Sequence, residues 1–120
     1  MHELAVTESI LEIAIRHARE YRAKRITALH LVIGQMSSIV DDSVQFYWDI
    51  ISEGTIARGA TLHFQRIAAE FSCLDCGSVY QPSEGESICP ECSSSKVILQ
   101  KGNEFRLDAI DIEEDDGRDS

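Results

Sequence analysis

Basic side chains are scarce in this chain. Lys and Arg number 11 against 21 Asp and Glu among 120 residues, for a formal net charge of −10. Residues 108–120 hold seven of the acids against Arg118 alone and supply −6, so the remainder carries only −4. The chain therefore lacks the clustered Lys and Arg whose counterion release drives nucleic-acid binding, and no nucleic-acid partner is expected. Long apolar runs are missing too. No stretch nears the roughly 18 uninterrupted apolar residues of a membrane helix, and the first residues lack the basic-then-apolar layout of an export signal. A cytoplasmic protein without membrane insertion is expected. There is no glycine-rich phosphate loop, no solenoid-length repeat and no Ser/His/Asp or Cys/His arrangement suited to catalysis, so no enzyme is expected.

What remains has clear periodicity. Ile10, Ile13, Ala14, His17, Ala18 and Tyr21 recur at three- and four-residue intervals, which predicts an amphipathic helix over 4–22 with His17 packed at the core edge. In "RITALHLVIG", Leu29, Leu31 and Ile33 alternate with His30 and Val32 before Gly34, the pattern of a strand. Asp41 or Asp42 can cap a second helix whose apolar face is Val44, Tyr47, Trp48 and Ile51. "ATLHFQRI" alternates again, with Ala60, Leu62 and Phe64 on one face and Thr61, His63 and Gln65 on the other. His30 and His63 are thereby expected to face solvent. "NEFRLDAIDI" returns to strand composition near the end, and since a lone strand is unstable in water it should rejoin the earlier sheet. The expected fold is α+β: a small mixed sheet of about three strands with two helices, interrupted by a four-cysteine module resembling a zinc ribbon. Residues 1–70 and 103–112 form the main domain, 71–102 the inserted one, and 113–120 a disordered acidic tail.

The module carries the strongest chemical signal. Cys73-Leu74-Asp75-Cys76 and Cys89-Pro90-Glu91-Cys92 are two C-x-x-C hooks separated by twelve residues, and they use every cysteine in the chain. Two residues between sulfurs let a tight turn aim both at one ion, while turn N–H groups spread the thiolate charge. A closed tetrahedral site of four thiolates suits Zn2+ held structurally, with no position left for substrate. Nothing suggests the secretion that disulfides would call for. A redox C-x-x-C normally opens a helix after a βα unit, unlike this loop-rich stretch. The rival reading is an iron-sulfur electron carrier, because the two knuckles also look like those of rubredoxin.

The first residues, "MHE", pose a second question. A free amine, the next amide nitrogens and the His2 imidazole fall within chelate reach of one another, and such nitrogen donors in a square or tetragonal arrangement suit Ni(II) or Cu(II). Glu3 adds a carboxylate or its amide nitrogen. By itself, a histidine at position 2 is unspecific.

Its context is specific. "MHE", a helix, "ALHLVIGQMSSI", the acidic "VDDS" turn, "FYWDIISEGTIARGATLHF" and the two hooks, in that order over residues 1–112, closely resemble the HypA/HybF family of hydrogenase-maturation nickel chaperones. The resemblance implies a transferable Ni2+ and a structural Zn2+. It implies that the chain, working with a maturation GTPase, delivers nickel to the large-subunit precursor of [NiFe]-hydrogenase, and it leaves a homodimer open. Carried over, it implies His2 and Glu3 as nickel residues, Cys73, Cys76, Cys89 and Cys92 as zinc ligands, and an acidic nickel residue that is either Asp41 or Asp42.

Overall fold

The computed structural model describes residues 3–82 and 88–114, so the expectations for Met1, for His2 and for the tail from residue 115 lie outside the described residues. Its elements run α1 (Glu3–Glu20), β1 (Ala23–Gly34), α2 (Asp41–Ile51), β2 (Thr61–Ile67), β3 (Glu70–Cys73), β4 (Val79–Tyr80), β5 (Val97–Lys101) and β6 (Phe105–Glu114). They build two three-stranded sheets, ordered β2-β1-β6 and β4-β3-β5. The α+β architecture and the separate four-cysteine sheet are as the sequence predicts. The chain divides into two compact units. The first comprises Met1–Val32, Ile39–Gln65 and Arg106–Ser120, and the second comprises Ile33–Ser38 and Arg66–Phe105.

In the first unit, β1 is the middle strand, and from Ile26 onward every residue but Thr27 and His30 is buried. Ile26, Leu29, Leu31 and Val32 are all at most 2% exposed, so Val32 is core rather than one of the outward residues that strict alternation predicts. Each such side chain contributes about 1.5–3 kcal/mol on leaving water. The buried stripe of α1 is Glu3, Thr7, Ile10, Ala14 and Ala18. Thr7 is tolerated there because its hydroxyl donates to the Glu3 carbonyl, leaving no unpaired polar group. Ile13, His17 and Tyr21 instead line the edge of a groove of about 420 Å3 against β6. His17 is thus exposed and not packed: its side chain is 53% accessible and its Nδ1 lies 3.5 Å from Glu20.

On α2, Val44 and Trp48 are fully buried and Tyr47 and Ile51 half-buried, the expected face. The start of α2 differs from expectation. Neither Asp41 nor Asp42 is the N-cap; that position is Val40, which has no side-chain cap, and both aspartates lie in the first turn. Trp48 Nε1 is buried without a hydrogen-bond partner among the described residues. Beyond α2, the Thr55 hydroxyl bonds the Ser52 carbonyl and receives the Ala57 N–H, folding the segment so that the Ile56 carbonyl accepts from Ile26 on β1 at 2.9 Å. β2 alternates as read, with Leu62 buried and Thr61, His63 and Gln65 exposed. β6 rejoins β1, which supplies the neighbour that a late strand needs.

In the second unit, β3 is central and antiparallel to both neighbours. Phe71 faces Tyr80 on one side and Leu99 on the other, and Ser72 pairs with Val79 and Ile98. The rings of Phe71 and Tyr80 lie 5.9 Å apart and form a small apolar patch. Residues 33–38 belong here through backbone bonds: Gly34 N–H to Glu104, Gln35 N–H to Ile67 and Met36 N–H to Gly102. Gly34 is required because a Cβ at that position would run into the Gly102 carbonyl. Gly102 itself has φ +112° and would bring a Cβ within 2.7 Å of Ala69 Cα.

Candidate metal centres

Each cysteine hook folds into the same turn. Cys73 N–H donates to the Ser78 carbonyl and Gly77 N–H returns to the Cys73 carbonyl. Sixteen residues on, Cys89 N–H donates to Ser94 and Ser93 N–H returns to Cys89. The closing residues Gly77 and Ser93 both take the left-handed conformation, with φ 80° and 62°. That equivalence is visible in the sequence as C-x-x-C-[GS]-S repeated in both hooks, a signal that spacing alone leaves unused. Within each turn, N–H groups point at the leading sulfur. Asp75 and Cys76 donate to Cys73 Sγ at 3.4 and 3.5 Å, and Glu91 donates to Cys89 Sγ at 3.4 Å. Ser94 then ties the hooks together, its hydroxyl donating to the Asp75 carboxylate and accepting the Lys96 N–H at 3.0 Å.

These turns bring all four sulfurs within 4.8 Å of one another, with Cys73 to Cys92 and Cys76 to Cys89 each at 3.6 Å. A disulfide needs about 2.05 Å, so none is formed. A tetrahedron of sulfurs about 2.3 Å from one ion has edges of roughly 3.8 Å, close to the observed spacing. Protonation chemistry agrees. Hydrogen bonds from the Ser78 hydroxyl and then from its backbone N–H pull the Cys76 thiol down to about 6. Cys73 is lowered chiefly by the Cys76 N–H. The Ser94 N–H also favours ionisation of Cys92, but burial and the neighbouring thiols outweigh it and push Cys92 up to about 12. Sulfurs this close resist ionising together unless a cation takes the place of their protons. Cys73 and Cys89 are buried and Cys76 and Cys92 exposed, with no open coordination position in a four-sulfur set. The cluster is a structural metal site.

Of the residues expected at the other site, His2 lies outside the described residues. Glu3 opens α1 and is only 7% exposed, although glutamate is rarely buried without partners. Its Oε2 accepts the Val40 N–H at 3.4 Å, which brings the first turn of α1 to the start of α2. Its carboxyl is held below the ordinary value of 4.5, by the positive amine at the chain start above all, then by its own N–H and, more weakly, by Val40. Asp41 is half-buried beside Val40, and its Oδ1 accepts the Asp42 N–H at 2.9 Å; Asp42 is exposed. The contact through Val40 is the part that sequence reasoning missed, since no side-chain motif marks it.

A family profile described as "Hydrogenase/urease nickel incorporation, metallochaperone, hypA" matches residues 1–112. The chain belongs to the HypA/HybF family. Hydrogenase maturation factor HypA of Dehalococcoides mccartyi is 38% identical over 115 residues, spanning 96% of this chain and 97% of that protein. Hydrogenase maturation factor HybF of Escherichia coli K12 is 33% identical, over 94% and 100% of the two chains. The solution structure of the nickel metallochaperone HypA from Helicobacter pylori superposes with a TM-score of 0.67 at 26% identity, covering 96% and 100%. Membership in HypA/HybF makes this chain a nickel metallochaperone of hydrogenase maturation rather than a catalyst.

Proposed function

We propose that the first unit binds one Ni2+ as transferable cargo through the N-terminal amine, His2, Glu3 and Asp41, while the second unit holds one Zn2+ permanently on Cys73, Cys76, Cys89 and Cys92. Donor chemistry supports the division: nitrogen and carboxylate donors in tetragonal arrangement suit Ni(II), and four thiolates in a closed tetrahedron suit Zn2+. The observation that carries the nickel assignment is the buried Glu3 carboxylate at the start of α2. Its bond to Val40 brings Glu3 to the residue preceding Asp41, which is why half-buried Asp41 is assigned over the exposed Asp42. A site at a chain end can be loaded and unloaded without unfolding a core, as delivery requires. The recipient is the large-subunit precursor of [NiFe]-hydrogenase, with a maturation GTPase controlling release, inside the cell.

The test is calorimetric nickel titration of the untagged, zinc-loaded chain beside a form with a few residues fused ahead of Met1. Fusion removes the free amine. Nickel affinity should fall by about tenfold or more, the size expected when a supporting group of a metal site is lost, with zinc content unchanged. Equal affinity in both forms would refute amine ligation.

A further inference from the structure

His30, His63 and Asp111 form a row across all three strands of the β2-β1-β6 sheet. The His30 and His63 rings stack with centroids 4.9 Å apart and planes within 11°. His30 Nε2 lies 3.0 Å from Asp111 Oδ2, and the Thr27 hydroxyl secures that part of β6 by donating to the Asp111 carbonyl at 3.2 Å. The His30 and Asp111 side chains are 41% and 56% accessible, and His63 is exposed, so the row is open to solvent and is not part of the core.

We propose that this row is a second, weaker site for a divalent first-row cation, nickel in the setting of the function proposed above. Two bonds of about 2.1 Å from one ion at a right angle span roughly 3.0 Å, which matches the distance from His30 Nε2 to Asp111 Oδ2. The carboxylate and one imidazole, which share a hydrogen bond, are thus near enough to become adjacent ligands once a cation displaces the proton between them. In the loaded state the His30 proton sits on Nδ1, leaving Nε2 to donate its lone pair. His63 supplies the third donor. Stacked rings cannot share an ion, because a ligated metal lies in the plane of each ring. The His63 ring must therefore tilt out of the stack, a rotation that its exposed position leaves free. Imidazole and carboxylate donors select Ni(II), Cu(II) or Zn(II) over Mg2+ and Ca2+. Three surface ligands with water filling the remaining positions give fast exchange, which suits capture of cargo before it reaches the tighter site. Nickel chaperoning is the premise of that role, while cation binding by the row stands on its own geometry.

The test is a Ni2+ titration of the zinc-loaded, untagged, full-length chain carrying His2→Ala, followed by NMR of the histidine ring protons. His17, exposed and with only the Glu20 carboxylate beside it, is the internal standard, measured in a chain that also carries Glu20→Gln. The His30 and His63 signals should broaden at a nickel concentration about tenfold below that affecting His17, the gain expected when a second ligand is already tethered in reach. His63→Gln should erase that advantage for His30, and Asp111→Asn should reduce it. Broadening of all three histidines together would overturn the proposal. Failure of the N-terminal assignment looks different: the tight nickel event then survives His2→Ala, whatever His30 and His63 do.

Discussion

The Glu3 carboxylate accepts the Val40 backbone N–H across 37 residues of chain. Val40 is the N-cap of α2, and an N-cap N–H is commonly satisfied by a Glu three residues into the same helix. Ser43 occupies that place here, and Glu3 takes over the role from α1. One carboxylate therefore closes a helix terminus and ties the first turn of α1 to the start of α2.

Glu3→Ala and Glu3→Gln separate those two roles. Glutamine keeps an acceptor for Val40 but no charge, whereas alanine keeps neither. Both substitutions should weaken nickel by about tenfold or more, and both should lower the thermal midpoint of the first unit at neutral pH, alanine by more because it loses the capping acceptor as well as the charge. Calorimetry and a melting curve check the pair; a midpoint equally lowered by glutamine would show that charge, not capping, holds α2.

The same carboxyl makes the first unit acid-sensitive in a defined direction. Its value in the folded protein lies below 4.5, so the stability it contributes is complete above pH 4.5 and is lost as pH falls through the lower, folded value. Chemical denaturation between pH 3 and 6 should show a decline below pH ~4.5, and Glu3→Gln should flatten that limb. An unchanged acid limb in Glu3→Gln would assign the sensitivity to other carboxylates.

Removing the thiolate-bound metal should unfold one unit and spare the other. Among the described residues the second unit has a small apolar patch and no helix, while α1 and α2 belong to the first. A strong chelator, or Cys89→Ser, should abolish hydrogen-exchange protection in β3 and β5 while helical circular dichroism persists. Joint loss of both signals would mean that the metal supports the entire chain.

Ser93 holds a left-handed conformation that Gly77 adopts freely in the equivalent turn. Ser93→Gly should stabilise the second unit by about 1 kcal/mol and slow zinc loss to a competing chelator. Gly77→Ala should act oppositely, and rates of metal transfer to a colorimetric chelator distinguish the two. Faster loss from Ser93→Gly would contradict the matched-turn geometry.

Legibility followed how local the physics was. The hooks were readable because two intervening residues by themselves dictate a turn that aims both sulfurs inward. β2 was readable because one face is buried and one is wet, so alternation survives in Leu62 and His63. Strict alternation in β1 fails at Val32, which is buried although His30, two residues before it, is open to solvent. The α1 stripe keeps Ile10, Ala14 and Ala18 but leaves out Ile13, His17 and Tyr21, and the buried line runs on through Glu3 and Thr7, whose polar atoms are satisfied by hydrogen bonds. An aspartate cap for α2 was the natural expectation, but the fold supplies Glu3 from another helix.

Residue type and short-range spacing by themselves determined the family, the four-sulfur site and the strand and helix periods, because each depends on atoms a few residues apart. Only the tertiary structure decided that Glu3 meets Val40, that residues 33–38 join the cysteine-bearing unit, and that His30, His63 and Asp111 share one sheet face. Those relationships join residues from 32 to 81 positions apart. Which distant groups meet is set by strand order and helix packing, and no local pattern encodes it.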